Sequence, residues 1–158
     1  MSRRAHSSET PTRRVFVRVL AACVFGAVLE RARRASASSD EFRVIVSARN
    51  PIESAPRDFV ADAFLKRVSR WDDGEAVRPA DLRPESPTRR AFSERVLKRS
   101  VAAVRNYWQQ RIFSGRELPP PVLESEEAVV SYVATHRGAI GYVSLSARLQ
   151  DVKVFELR

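Results

Sequence analysis

The sequence predicts one α/β domain preceded by an N-terminal address segment, and three observations carry that prediction. Four stretches place apolar residues at helical spacing and alternate with short β-branched runs. An uncharged run near the start is too short to span a bilayer. Beyond it, the residues from position 38 to 158 leave room for one hydrophobic core.

The address segment covers residues 1–37. Residues 1–18 are polar and basic, Val19 to Leu29 is an uncharged run, and Ala35-Ser36-Ala37 supplies the small-x-small pattern that a signal peptidase reads, so cleavage is expected after Ala37. As a helix the uncharged run measures roughly 16 Å against a hydrocarbon core of roughly 30 Å. Thr12-Arg13-Arg14-Val15-Phe16-Val17-Arg18 resembles the twin-arginine export consensus, with Arg13 and Arg14 as the pair. Cys23 follows Leu20-Ala21-Ala22 as in a lipobox, but it stands inside the apolar run instead of closing it, which favours a small apolar residue over a lipid anchor.

In the body, Phe42 to Ser47 is β-branched and half alternating before Asn50-Pro51, and reads as the first strand. Phe59, Val60, Ala63, Phe64 and Val68 lie on one face of a helix over 58–68, with Ser54 or Asp58 near its start. Trp71 to Gly74 is a turn with Asp72-Asp73 inside it, and Ala76 to Arg78 a short strand stopped by Pro79. Ser86 or Thr88 caps a helix bearing Phe92, Val96 and Leu97. Ser100 opens another through Val101, Val104, Tyr107, Trp108 and Ile112, closed by Gly115, with both aromatics read as core. Pro119 to Pro121 enforce an extended connection. Ser125 caps the last helix, with Glu126 and Glu127 in its first turn and His136 and Arg137 in its last, matching the dipole at both ends. Strands over Ala139 to Leu145 and Val152 to Leu157 finish the chain.

Composition excludes several classes of chemistry. Of 158 residues, 28 are Lys or Arg and 19 Asp or Glu, a net of +9; residues 1–37 hold eight Arg and two Glu, so little of that surplus belongs to the body. This weighs against a nucleic-acid binder, and the basic stretch Arg89, Arg90, Arg95, Lys98, Arg99 and Arg105 reads as a solvated helix face. With Cys23 the only thiol and His6 and His136 the only imidazoles, there is no disulfide and no material for a zinc site or a thiol nucleophile. No glycine-rich phosphate loop or nucleophile elbow occurs; the chain reads as a non-enzyme, without cofactor, metal or catalytic residues.

The order of landmarks Val44-Ile45-Val46, Asn50-Pro51, Phe64-Leu65-Lys66, Trp71, Arg83 to Thr88 with Phe92, Tyr107-Trp108, and Gly138-Ala139-Ile140-Gly141-Tyr142-Val143 resembles the phosphate-type periplasmic substrate-binding proteins of ABC transporters, above all their short, single-lobe relatives. The resemblance runs from about Phe42 to Ser144. It implies the fold of one lobe of a type II periplasmic binding protein and a clamp that closes on an oxyanion. Such an anion needs several donors from hydroxyls, helix N-termini and an arginine.

In these relatives a loop of the form Arg-x-x-Gly-Ser-Gly-Thr, with Phe four residues beyond the Thr, forms part of the cradle. Here Arg83, Ser86 and Thr88 match it and are the expected phosphate ligands, and Thr88 to Phe92 keeps the spacing. The loop is one residue shorter, Pro87 removes an N–H that glycine would offer, and Glu85 adds a negative charge that Arg89 and Arg90 could offset. A complete clamp has two lobes, so a homodimer or another chain is expected to supply the second. The resemblance thus implies an exported protein of the bacterial periplasm or envelope, with inorganic phosphate or a similar oxyanion as ligand, an ABC permease as partner and no nucleic acid. The alternative is an exported protein-interaction module on the same lobe that has lost its anion.

Overall fold

The structure is a computed structural model that describes residues 41–115 and 117–158. The export pair Arg13 and Arg14, Cys23 and the cleavage residues Ala35 and Ala37 lie outside the described residues.

The predicted first strand, β1 (Phe42–Ser47), is the middle of the main sheet, whose order is β2 (Ser54–Ala55), β7 (Val152–Leu157), β1, β6 (Ala139–Ser144), β3 (Arg78–Pro79). β1 runs antiparallel to β6 and β7, while β2–β7 and β3–β6 are parallel. A strand buried on both faces needs apolar residues at consecutive positions, and Val44, Ile45 and Val46 are each no more than 2% exposed.

The register sorts the layers. Ile45 stands opposite Gly141, and Val44 opposite Tyr142, so these two pairs lie on opposite faces. On the Gly141 face packs α4 (Glu126–Thr135): a Cβ at Gly141 would sit 2.6 Å from Val129 Cγ1 and 3.1 Å from Val133 Cγ2. On the Tyr142 face pack α1 (Arg57–Phe64) and α2 (Pro87–Arg95) through aromatic rings. Phe92 lies flat on Tyr142 with centroids 3.9 Å apart, and Phe64 meets Phe92 at 4.7 Å and Tyr142 at 5.7 Å. α3 (Val101–Phe113) is capped by Ser100, turns Val104 and Trp108 inward and ties Tyr107 Oη to the carbonyl of Leu65, 2.9 Å away. The molecule is therefore mixed α/β, with the sheet covered on both faces.

Gly138 is required where β6 begins. A Cβ there would lie 2.0 Å from the carbonyl oxygen of Ala76, which is backbone and has no room to retreat. The Gly138 carbonyl accepts hydrogen bonds from Trp71 Nε1 (2.9 Å) and Arg78 N (3.0 Å), so the close approach also anchors β3. Gly138→Ala is expected to destabilise by about 2–3 kcal/mol in urea unfolding, the upper part of the overpacking range, and to alter the Trp71 fluorescence; an unchanged midpoint would contradict the packing described.

Several boundaries differ from the sequence expectation. Pro79 does not stop a strand but lies within β3, which is tolerated because β3 is an edge strand. α1 ends at Phe64, short of Val68, since Lys66 turns to φ +52° and Leu65 is buried beyond the helix. Neither Ser54 nor Asp58 caps α1; its N-cap is Pro56, Ser54 belongs to β2 and Asp58 falls in the first turn. α4 ends at Thr135, leaving His136 as an extended C-cap residue and Arg137 outside the helix. There His136 Nδ1 lies 2.9 Å from the carbonyl of Tyr132, and Arg137 pairs with Asp73 at 3.0 Å. The connection after Pro119 includes a strand not foreseen, β5 (Val122–Leu123), parallel to β4 (Asp81–Leu82).

Candidate functional site

The loop from β4 to α2 carries the three residues singled out as ligands, and each has a distinct environment. Ser86 is the N-cap of α2: its Oγ accepts from Arg89 N at 3.3 Å, and Pro87 follows in the first turn, where a missing N–H costs nothing to the helix. Capping uses the Ser86 oxygen as acceptor and leaves its own proton to donate. Arg83 is exposed and pairs with Glu124 at 3.6 Å. Thr88 is buried, and its hydroxyl donates to Glu126 Oε1 at 2.7 Å.

Glu126 joins three elements. Besides Thr88 on α2, its carboxylate accepts from Ser144 N (3.1 Å) and Ser144 Oγ (2.7 Å) at the end of β6. It stands in the first turn of α4, whose N-cap Ser125 accepts from Ala128 N at 3.2 Å. The positive ends of α2 and α4 thus converge on one pocket of about 240 Å³, lined by Arg83, Ser86, Pro87, Glu85, Glu124 and Glu126 among others. Fields at such ends favour anions, and the neighbouring Glu127 carboxyl is held below its usual range by its own backbone N–H and by the Ser125 hydroxyl. Against that field stand three carboxylates and a single arginine.

Directly beneath the loop lies a buried ionic cluster. Arg89, 6% exposed, pairs with Asp81 through Nη1, which also donates to the Leu82 carbonyl at 2.7 Å. Asp81, equally buried, accepts from Tyr142 Oη and from Leu82 N at 2.9 Å. Burial lifts the Asp81 carboxyl above its usual range, and Arg89, Tyr142 and the Leu82 N–H pull it back without cancelling the effect. Burial likewise lifts the Tyr142 phenol, with the nearby Asp81 charge adding to it, so it stays a hydrogen-bond donor. Arg89 therefore does not belong to the solvated basic face, unlike the exposed Arg90, Arg95, Lys98, Arg99 and Arg105. It also does not offset Glu85, because its charge is already matched.

Sequence reasoning thus brought Arg83 and Ser86 to one pocket and Thr88 to its border, but missed Glu126, Ser144 and Asp81. A sequence signal for Asp81 existed: a lone carboxylate between Ala80 and Leu82, just ahead of an arginine-containing helix. Glu126 carried no such signal, since a first-turn glutamate is fully explained by the helix dipole. Among the described residues no group of His, Cys, Asp and Glu is placed to hold a metal ion, and no helix is long and apolar enough to cross a membrane.

Solved structures contain the same fold as part of larger chains. The chain is similar to a Clostridium perfringens phosphate ABC transporter substrate-binding protein with bound phosphate, at 17% identity and TM-score 0.60, covering 74% of this chain and 44% of that one. It is similar to an ABC-type phosphate transport receptor from Vibrio cholerae at 16% identity and TM-score 0.57, covering 74% and 46%. A PstS from Borrelia burgdorferi matches at 11% identity and TM-score 0.50, covering 66% and 40%. The chain spans less than half the length of these proteins, and what it shares with them is the fold of a partial lobe. No family model and no curated protein sequence matches the chain.

Proposed function

We propose that this chain is an exported solute-binding lobe of an ABC transport system, taking phosphate or a similar oxyanion at the N-terminus of α2. The observation that carries the reading is the convergence of two capped helix N-termini, α2 and α4, on one pocket that also holds Arg83 and Ser86. Arg83 supplies charge and the Ser86 hydroxyl a proton, while Thr88 joins the anion once its hydroxyl leaves Glu126. Residues 1–37 act as a signal peptide read through Arg13 and Arg14 and cleaved after Ala37, delivering residues 38–158 to the periplasm or envelope. A permease is the partner, and a second copy or another chain completes the clamp.

A second reading is favoured by a specific observation. Glu126 already engages Thr88, and three carboxylates line a pocket with one arginine. An exported interaction module that keeps the lobe but binds no anion accounts for both.

Thermal unfolding with millimolar phosphate, and sulfate as control, separates the two. A site saturated a hundredfold adds about 2.7 kcal/mol, a rise of several degrees for a domain of this size. The solute-binding reading expects that rise with phosphate alone, its loss in Arg83→Ala, and a several-fold tighter response in Glu126→Gln, which removes a charge beside the anion. An unmoved midpoint in wild type and Glu126→Gln alike would leave the interaction module as the better account.

A further inference from the structure

A second cavity, of about 390 Å³, is lined by α3 and by the segment from Pro119 to Val122, and its chemistry differs from that of the loop pocket. Its walls are apolar: Trp108 and Ile112 from α3, with Pro119, Pro120 and Val122 opposite. Ile112 and Val122 are about half exposed, so the apolar lining continues out to the surface instead of closing over. At the buried end stand Asp81 and Arg89; on the solvent side stand Arg105 and Gln109. A concave, largely apolar space of this size with a few convergent polar groups has the makeup of a small-molecule site.

The charges around the cavity differ in their availability to a ligand. Arg89 is 94% buried by its 6% exposure, and its Nη1 is committed to Asp81 and the Leu82 carbonyl, yet its Nε is buried with no hydrogen-bond partner among the described residues. With Nη1 engaged and Nε closed off from the cavity space, the Arg89 charge is spent inside the protein, and the cation that faces a ligand is the exposed Arg105. The Asp81 carboxylate cannot serve a ligand as a competing anion site, because it is occupied by Arg89 Nη1, Tyr142 Oη and Leu82 N. Charge sets the sign: Asp81 and Arg89 cancel, and Arg105 leaves the cavity with a single positive charge.

We infer that this cavity binds a compact monocarboxylate with an apolar body, aliphatic or aromatic, whose carboxylate pairs with Arg105 while its body packs on Trp108, Ile112 and Val122. Inorganic phosphate does not suit it, since the walls are mostly apolar and would leave much of a doubly charged anion without donors. The inference stands apart from the phosphate reading and uses different residues.

Isothermal titration of the full chain with octanoate, and with octanol as its neutral counterpart, tests it. Octanoate should bind saturably and at least threefold more tightly than octanol. Arg105→Gln, an exposed position, should remove that preference while leaving octanol unchanged. Ala102→Trp, also exposed and on the cavity wall, should abolish both titrations with the unfolding midpoint intact. The inference is overturned if octanoate shows no saturable binding, if octanol binds as tightly, or if Ala102→Trp titrates like wild type. Phosphate response, measured on the same samples, reports separately on the loop pocket.

Discussion

Arg89→Met is expected to cost about 3–5 kcal/mol of folding stability, because it leaves the Asp81 carboxylate buried without its partner. Against a total of about 5–15 kcal/mol for a typical domain, that is a large fraction. Two further measurements identify the cause. The double variant Asp81→Leu/Arg89→Met removes both charges and should recover most of the loss, since replacing a buried pair with apolar residues is often close to neutral.

The single variant should also acquire a pH dependence. Burial already holds Asp81 above its ordinary value of 3.8 with Arg89 present, and loss of Arg89 raises it further. A carboxyl whose folded value is raised contributes stability below its unfolded value, and loses it as pH climbs through the window between the two. The deficit of Arg89→Met relative to wild type should therefore widen as pH rises above the ordinary carboxylate value of 3.8. Urea unfolding at several pH values checks this, and a deficit that narrows with rising pH would contradict the assignment of Asp81 as the stranded group.

Phe92→Ala is the second large effect, about 3–5 kcal/mol by the usual range for a buried phenylalanine. Phe92 is 1% exposed and is the ring on which the Tyr142 face of the sheet is assembled: it lies parallel to Tyr142 within 5° and takes Phe64 and Phe42 at its sides. Its loss opens a cavity between α2 and β6, and it frees Tyr142, whose hydroxyl serves Asp81. Phe92→Leu should cost clearly less. Similar midpoints for Phe92→Ala and wild type would mean that the ring contacts contribute little to the core.

The same residues show why some features were legible in the sequence and others not. β1 and β6 were read nearly to the residue because strands buried on both faces spell themselves out as consecutive apolar letters, whereas β7, in which only Phe155 is buried, was legible from its β-branched and aromatic residues. α2, α3 and α4 were announced by Ser86, Ser100 and Ser125, each of which caps its helix through the side chain. The two-residue strands β2, β3, β4 and β5 were obscure, since so short a segment has no period and is extended only because a neighbour pairs with it. At the site, loop spacing located Arg83 and Ser86. What a chain position cannot convey is which distant groups meet: Thr88 and Ser144 share Glu126, and Arg89 sits in a run of basic residues yet is the one turned inward.

The pairing of β1 has a consequence for how the chain is made. Its two neighbours are β6 and β7, with Val44 opposite Tyr142 on one side and Phe155 on the other. Both lie roughly a hundred residues downstream, so the central strand has neither sheet neighbour until those segments have left the ribosome. At about 5–20 residues per second, the Val-Ile-Val strand waits roughly 5–20 s with its edges open. Contacts this distant in sequence also slow folding itself. During synthesis an apolar strand is thus left adhesive, and only strands made long after it bring it under cover.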